Sequence, residues 1–456
     1  MNAALLLDDA LQRTSVNPTA SHCWLNLMAQ TRALSDGEQL AQLIAAVQAR
    51  LPAHGLAGFY RAMFLDLASG ELQHLGTAAA LLATLEPCDQ DRLAAFFHFA
   101  WQRGLLYARD RPTFVRHLYS MGLPALATRM GYPATVTPPL RRPGPLRRVL
   151  LVAPELLSPH HPPTRMLLEQ AEVLAQAGVE VSLLACQETM LPDFIHLLGQ
   201  GSSIASRQAE LGPWLERAAP GTQLLIADPR YSLMRRWHDM LDQIAAIEPD
   251  LVLFVGLHSG LINDLYQRYP VLGLATNSMA PLVPTDVWLT AQPALHGSEG
   301  DVWQLGQPPS LAYYHPFRAR RRPCGAPAQR VDLGIPDAAL LMISIGNQLA
   351  TQIDGPWAAR MGALMDAEPQ LHWLLLGGSG AAPAALAAHA PGRVHALGHA
   401  SNAQELIAMS DVYLNPPMMG GGLSVSEAMA LGLPVLSLHE CDGGDKLGSA
   451  AVADIE

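Results

Sequence analysis

Charge is scarce in this chain. Only 15% of its 456 residues are Asp, Glu, Lys or Arg, and the net charge is −11. That balance lacks the basic surplus that neutralises phosphates along a polynucleotide, which excludes a dedicated nucleic-acid binder. Long apolar runs are missing too. VLLVA and LVLFV are strand-sized, well short of the roughly 20 residues that span a bilayer. The N-terminal MNAALLLDDALQR puts acids after its Leu run and has no basic lead, so it does not read as a signal peptide. The cysteines Cys23, Cys88, Cys186, Cys324 and Cys441 are scattered, odd in number and without zinc spacing. Buried thiols in a reducing cytoplasm are the expectation. Aromatics make up 6% of the chain, and no fixed-period repeat is visible.

What is present is apolar residue in quantity: half the chain is hydrophobic, enough for several full cores. Up to about residue 140 the apolar positions recur at three and four, through 21–33, 38–51, 55–68 and 89–107. Turn signals at Asn17-Pro18, Ser35-Asp36-Gly37, Ser69-Gly70 and Glu86-Pro87 cut this into short helices. Trp24, Phe59, Phe64, Phe96, Phe97, Phe99 and Trp101 fall mostly on the apolar faces and read as core. The Pro- and Arg-rich 131–147 is a linker. Beyond it, strand and helix patterns alternate, which implies parallel sheets with right-handed crossovers. RVLLVA, VEVSLLA, PDLVLFVG and PVLGLA are strands of a first unit, and ALLMISIG, LHWLLLGG and RVHALG belong to a second. Residues 299–330 read as a crossing between the two. The expected domains are an all-helical 1–140, a first Rossmann-like 146–325 and a second Rossmann-like 331–456.

The most informative stretch is DVYLNPPMMGGGLSVSEAMALGLPVLSL, from Asp411 to Leu438. A short apolar strand leads to Pro416-Pro417 and then to Gly420, Gly421 and Gly422. Helical spacing follows from Leu423 to Leu431, Gly432 and Pro434 end it, and PVLSL is a second strand. The turn therefore lies at a strand's carboxyl end, where open α/β sheets bind ligands. Glycines let a phosphate approach the backbone, and the free N–H groups of the helix start favour an anion. Ser424 and Ser426 add hydroxyls, and Glu427 suits ribose hydroxyls. A tight connection in any parallel sheet would look similar in its glycines alone. His258, just past LVLFV, is placed to act as a general base or to be a polar loop residue. His160 and His161 read as loop residues, and Arg165 opens the helix that follows them.

The whole string from Asp411 resembles the donor segment of GT-B glycosyltransferases, which transfer a sugar from a nucleotide sugar. GNQLATQIDGPWAARMGALMDAEPQLHWLLL, PVLGLATNSM, TDVWLT and EGDVWQLGQPPSLAYY resemble one branch of that fold, the O-GlcNAc transferase group with its bacterial adhesin-glucosylating relatives. The motif likeness covers roughly 250–450. It implies two facing Rossmann-like domains preceded by an all-α domain, with donor in the cleft. Asn347 and Gln348 would meet the nucleotide, and Gly398 and His399 would lie by the base. Gly420, Gly421, Gly422 and Ser424 would hold the diphosphate, and Glu427 would take the acidic position. There are departures. Gln352 stands where the group has a diphosphate-neutralising Lys, so either Lys446, Arg165 or another cation substitutes, or donor binding is weak. Met419 stands where many retaining members have Glu, and the adhesin enzymes' loop His is missing from GLATNS.

The function this implies is transfer of a hexose from a UDP-sugar, UDP-glucose or UDP-GlcNAc, to a protein side chain. No metal is called for, since no Asp-x-Asp motif stands at a fitting place. Two rivals remain: a glycosyltransferase for a glycan or lipid, and an inactive GT-B scaffold that binds a partner enzyme.

Overall fold

The structure is a computed structural model. It describes residues 3–437 apart from 18–22, 25, 28–36, 70–71, 108–110, 121–143, 160, 192–194, 197–198, 201–202, 275–279, 291–292, 302, 304, 316–327, 347–348, 350–352, 354, 379–382, 384–385, 387–388, 401 and 416–421. Two compact units result: 1–276 with 280–289 and 298–312, and 277–279 with 290–297 and 313–456.

The first unit opens with helices α1 (Ala3–Val16), α2 (Gly37–Arg50), α3 (Gly55–Ser69), α4 (Leu72–Leu82), α5 (Pro87–Tyr107) and α6 (Arg111–Ser120). Helices α7 (Pro162–Gln176), α8 (Ile204–Ala218), α9 (Leu233–Ile247) and α10 (Gly260–Leu265) follow among the strands of its sheet. The aromatics of the leading helices point inward, as the periodicity predicts. Trp24 stacks on Tyr60 with centroids 5.3 Å apart, and Phe59 meets Phe96 edge-on at 6.3 Å. One face of α5 does something else. His98, Trp101 and Gln102 lie at i, i+3 and i+4, all buried, and α5 packs on α9.

That helix, α9, shows why the sequence folds as it does. Ser232 caps it by accepting a hydrogen bond from the Arg235 N–H at 3.3 Å. Leu233, Arg236, Trp237, Met240 and Ile244 recur at helical spacing and are all buried. Glu248 ends the helix in the left-handed region, with φ 49°.

The first sheet is built from β1 (Arg148–Ala153), β2 (Glu180–Ala185), β5 (Gln223–Ile226), β6 (Leu251–Val255), β7 (Val271–Leu274), β8 (Val287–Thr290), β9 (Glu299–Gly300) and β10 (Ser310–Tyr314), with β3 (Ile195–His196) and β4 (Gly199–Gln200) forming a separate pair. Its order is β5-β2-β1-β6-β7-β8-β10-β9, parallel from β5 to β8. The chain runs outward from β1 through β2 to β5 and then returns to β6 on the other side. The strand order therefore reverses between β1 and β6. Residues 299–314, expected as part of a crossing, instead extend this sheet with two strands. Their shortness and the surrounding prolines hid them.

Close packing on β7 depends on one glycine. A Cβ on Gly273 would sit 2.8 Å from Thr285 Cγ2 and 2.9 Å from Pro281 Cγ. Thr285 is itself fixed by a 2.7 Å hydrogen bond with the Ser310 hydroxyl. Gly273→Ala is expected to lower unfolding free energy by about 1–3 kcal/mol, read by urea denaturation.

The second sheet comprises β11 (Leu340–Ile345), β12 (Leu371–Leu376), β13 (Val394–Gly398), β14 (Val412–Leu414) and β15 (Val435–Leu436), in the order β13-β12-β11-β14-β15 and parallel throughout. Alternate residues feed cores on its two faces. Leu341, Ile343, Leu374 and Tyr413 go to one, and Met342, Trp373, Leu375 and Leu414 to the other. Here the order reverses between β11 and β14. Helices α11 (Gly355–Ala367), α12 (Ala403–Ala408) and α13 (Gly422–Ala430) belong to this unit. Both sheets thus have the α/β, Rossmann-like pattern expected of them.

Candidate active site

In open parallel sheets, ligands bind beyond the carboxyl ends of the strands where the order reverses. In the second sheet that place is the end of β14. Tyr413 there is fully buried, and its hydroxyl donates to Ser424 Oγ at 3.0 Å. Burial pushes the phenol up to about 12, so it stays a neutral donor. Ser424 stands in the first turn of α13, which begins at Gly422. One turn on, Glu427 is buried, and Oε1 accepts from Gln404 Nε2 at 3.2 Å.

Asn415, directly after β14, carries a signal the sequence did not give. It is 1% exposed, and its N–H donates to the Leu436 carbonyl at 2.8 Å. Its side-chain Nδ2 reaches Ser437 Oγ at 3.4 Å, but Oδ1 has no hydrogen-bond partner. A buried amide oxygen left unpaired costs about 1–3 kcal/mol.

Gly398, with φ 65°, ends β13, and the exposed His399 follows. β13 lies three strands from β14, a separation on the order of 14 Å at ~4.8 Å per strand. The remaining expected donor residues, Asn347, Gln348, Gln352, Gly420, Gly421 and Lys446, lie outside the described residues.

In the first sheet the reversal point is β1/β6, and His258 follows β6. It is half-buried and linked to the helical segment: Gln102 Nε2 lies 2.7 Å from His258 Nδ1. The Trp101 ring packs edge-on against the imidazole with centroids 4.2 Å apart. Burial and the neighbouring His98 push His258 well below the ordinary histidine value.

Behind it lies a carboxyl the sequence did not announce. Glu188 is fully buried. Its Oε1 accepts from Trp237 Nε1 at 2.7 Å, Ser259 Oγ at 2.9 Å and the Leu261 N–H at 3.3 Å. Oε2 has no partner; His98 Nε2 stands 3.8 Å away. Burial outweighs the bonds to Trp237 and Ser259 and raises the carboxyl to about 7. Burial also lowers His98 to about 3, so the Glu188–His98 contact is not an ion pair at neutral pH. Among the described residues, no group of His, Cys, Asp and Glu could hold a metal ion.

A family model described as glycosyl transferases group 1 matches residues 356–448. Gly398, His399, Gly420, Gly421, Gly422, Ser424, Glu427 and Lys446 fall inside the match, and Asn347, Gln348 and Gln352 precede it. Solved structures of similar form include a mutant O-GlcNAc transferase of Thermobaculum terrenum, 16% identical, covering 94% of this chain and 84% of that one at a TM-score of 0.47. A glycosyltransferase of Rickettsia africae is 11% identical, covering 64% and 79%, at a TM-score of 0.41. The glycosyltransferase SnogD of Streptomyces nogalater is 14% identical, covering 64% and 80%, at a TM-score of 0.36. No curated protein matches the sequence. No helix among the described residues is long and apolar enough to cross a membrane.

Proposed function

We propose that the glycosyl transferase domain binds a nucleoside diphosphate sugar, with UDP-glucose or UDP-GlcNAc as donor, and that the protein transfers the hexose to a protein side chain. The observation that carries this reading is the position of the group 1 match. It covers the glycine corner and α13 at the reversal point of the second sheet. The diphosphate lies at the start of α13, where main-chain N–H groups and the helix dipole favour an anion. Ser424 contributes its hydroxyl and Glu427 takes the ribose. The base reaches toward Gly398 and His399, since an extended nucleoside diphosphate is comparable in length to the three-strand separation. Asn415 Oδ1 accepts from a donor hydroxyl.

In the reaction, the bond between the anomeric carbon and the diphosphate oxygen breaks, and the electron pair leaves with the diphosphate. The acceptor atom bonds to the anomeric carbon and gives up its proton to the departing diphosphate or to solvent water. Main-chain donors stabilise the leaving charge without a metal ion.

Calorimetric titration with UDP, UDP-glucose and UDP-GlcNAc tests the reading. Binding is expected, and Glu427→Ala should weaken it about tenfold, the loss of one hydrogen bond to a charged group. Intact-mass spectrometry of coexpressed proteins should then show an added hexose or, from UDP-GlcNAc, an added N-acetylhexosamine. A chain that binds none of these nucleotides even at millimolar concentration is an inactive scaffold, and the proposal fails.

A further inference from the structure

The helical segment reaches into the first sheet's ligand edge through one residue, Gln102. A side-chain amide has two hydrogens on nitrogen and none on oxygen. Gln102 Nε2 lies 2.7 Å from His258 Nδ1 and 3.4 Å from His98 Nε2, so one hydrogen serves each ring. Both ring nitrogens then act as acceptors. A neutral imidazole accepting at one nitrogen carries its proton on the other.

We propose that Gln102 locks His258 as the neutral tautomer protonated on Nε2, so that His258 donates a hydrogen bond to a substrate oxygen and is not the general base. This rests on the glycosyl-transfer reading only for the nature of the substrate; the tautomer stands on the Gln102 geometry. Three observations support it. Nδ1 is occupied at close range by the amide nitrogen. Trp101 packs on the ring and fixes its orientation. The described hydrogen bonds leave Nε2 unused, and the half-buried residue follows β6 at the reversal point of the sheet.

The titratable group facing His258 is His98 from α5; Glu188, from the loop after β2, and Arg236, from α9, act on His98. None offers a close anion that would draw a second proton onto the ring, since Glu188 Oε2 faces His98 and not His258. The ligand this site takes is an oxygen bearing lone pairs. The proton lost by the acceptor must go elsewhere.

The test combines spectroscopy with kinetics. Histidine-labelled protein, with His258→Gln used to assign the signal, reports which ring nitrogen of His258 carries the proton. The expected spectrum shows protonated Nε2 and bare Nδ1 from pH 6 to 8. Gln102→Glu should invert it, because a carboxylate only accepts and so draws the proton to Nδ1. Against UDP-sugar turnover, His258→Gln keeps an N–H donor and should retain activity to within about tenfold, whereas His258→Ala should lose about a hundredfold. The acidic limb of the kcat/KM profile should not move in His258→Gln. A wild-type signal with the proton on Nδ1, or an acidic limb that vanishes in His258→Gln, overturns the assignment. If no UDP-sugar is turned over, the glycosyl-transfer reading fails, and the spectrum alone still decides the tautomer.

Discussion

Exchange of Arg236 for Met is expected to lower the unfolding free energy by about 3–5 kcal/mol, the range for stripping a buried charged group from its partners. Arg236 is fully buried on α9. Nη1 donates to the Gln187 carbonyl at 2.7 Å and to the Met190 carbonyl at 2.9 Å. Nη2 donates to the Pro229 carbonyl at 2.9 Å, and Nε to the Tyr231 carbonyl at 2.9 Å. One planar guanidinium thereby ties the loop after β2 to the loop after β5. Met matches the stem but leaves these carbonyls unpaired in a dry place. Arg236→Lys should cost less than Met, since an ammonium group has donors for some of them but not the planar fork. Urea denaturation followed by tryptophan fluorescence measures both, and equal losses for Lys and Met would refute the clamp.

The second large effect concerns Glu188 and depends on pH. An unfolded Glu loses its proton near 4.5, the folded Glu188 only near 7. Between these values the native state holds a proton the unfolded chain has released, so this residue's contribution to stability falls as pH rises. The total fall is about 3 kcal/mol, since each pH unit between the two values is worth ~1.4 kcal/mol. His98 and His258 push the other way. Their folded values lie below 6.5, so their contribution rises with pH up to that point. Comparison with Glu188→Gln separates the two. The amide oxygen can keep the bonds from Trp237, Ser259 and Leu261, while the amide nitrogen faces His98. The variant and wild type should be similar at pH 4.5. By pH 8 the variant should be the more stable by up to about 3 kcal/mol. A difference that stays flat across that range would show that Glu188 titrates normally.

The sequence already displayed much of this architecture. Runs such as RVLLVA and LHWLLL are buried on both sheet faces and read as strands with no tertiary information. The glycine corner announced α13 because Gly422, Ser424 and Glu427 carry a local pattern. Two other features were harder. Helix α8, absent from the sequence expectations, carries Pro213 inside it, yet Ser203 caps its start and buried Arg207, Leu211 and Leu215 hold it. The short β9 and β10 lie among prolines, and pairing across the sheet decides their conformation.

The His258 neighbourhood was legible only in part. Its place after β6 was plain, but its partner Gln102 lies 156 positions away in a helix whose spacing reads as core. Glu188 sits between Gln187, with φ 54°, and Thr189, in a stretch without periodicity. Neither carries a local cue, because each is defined by what folding brings beside it.

The face of α5 that bears His98, Trp101 and Gln102 also limits how this protein can be rebuilt. Cutting away the leading helices would open the Glu188 chamber to water, let the carboxyl ionise and release the imidazole from its amide. Grafting a foreign helical module in their place would succeed only if its helix brought an amide four residues after a histidine to the same depth. The leading helices are therefore part of the environment of His258 and Glu188, and recombination should treat them and the first sheet as one inheritable piece.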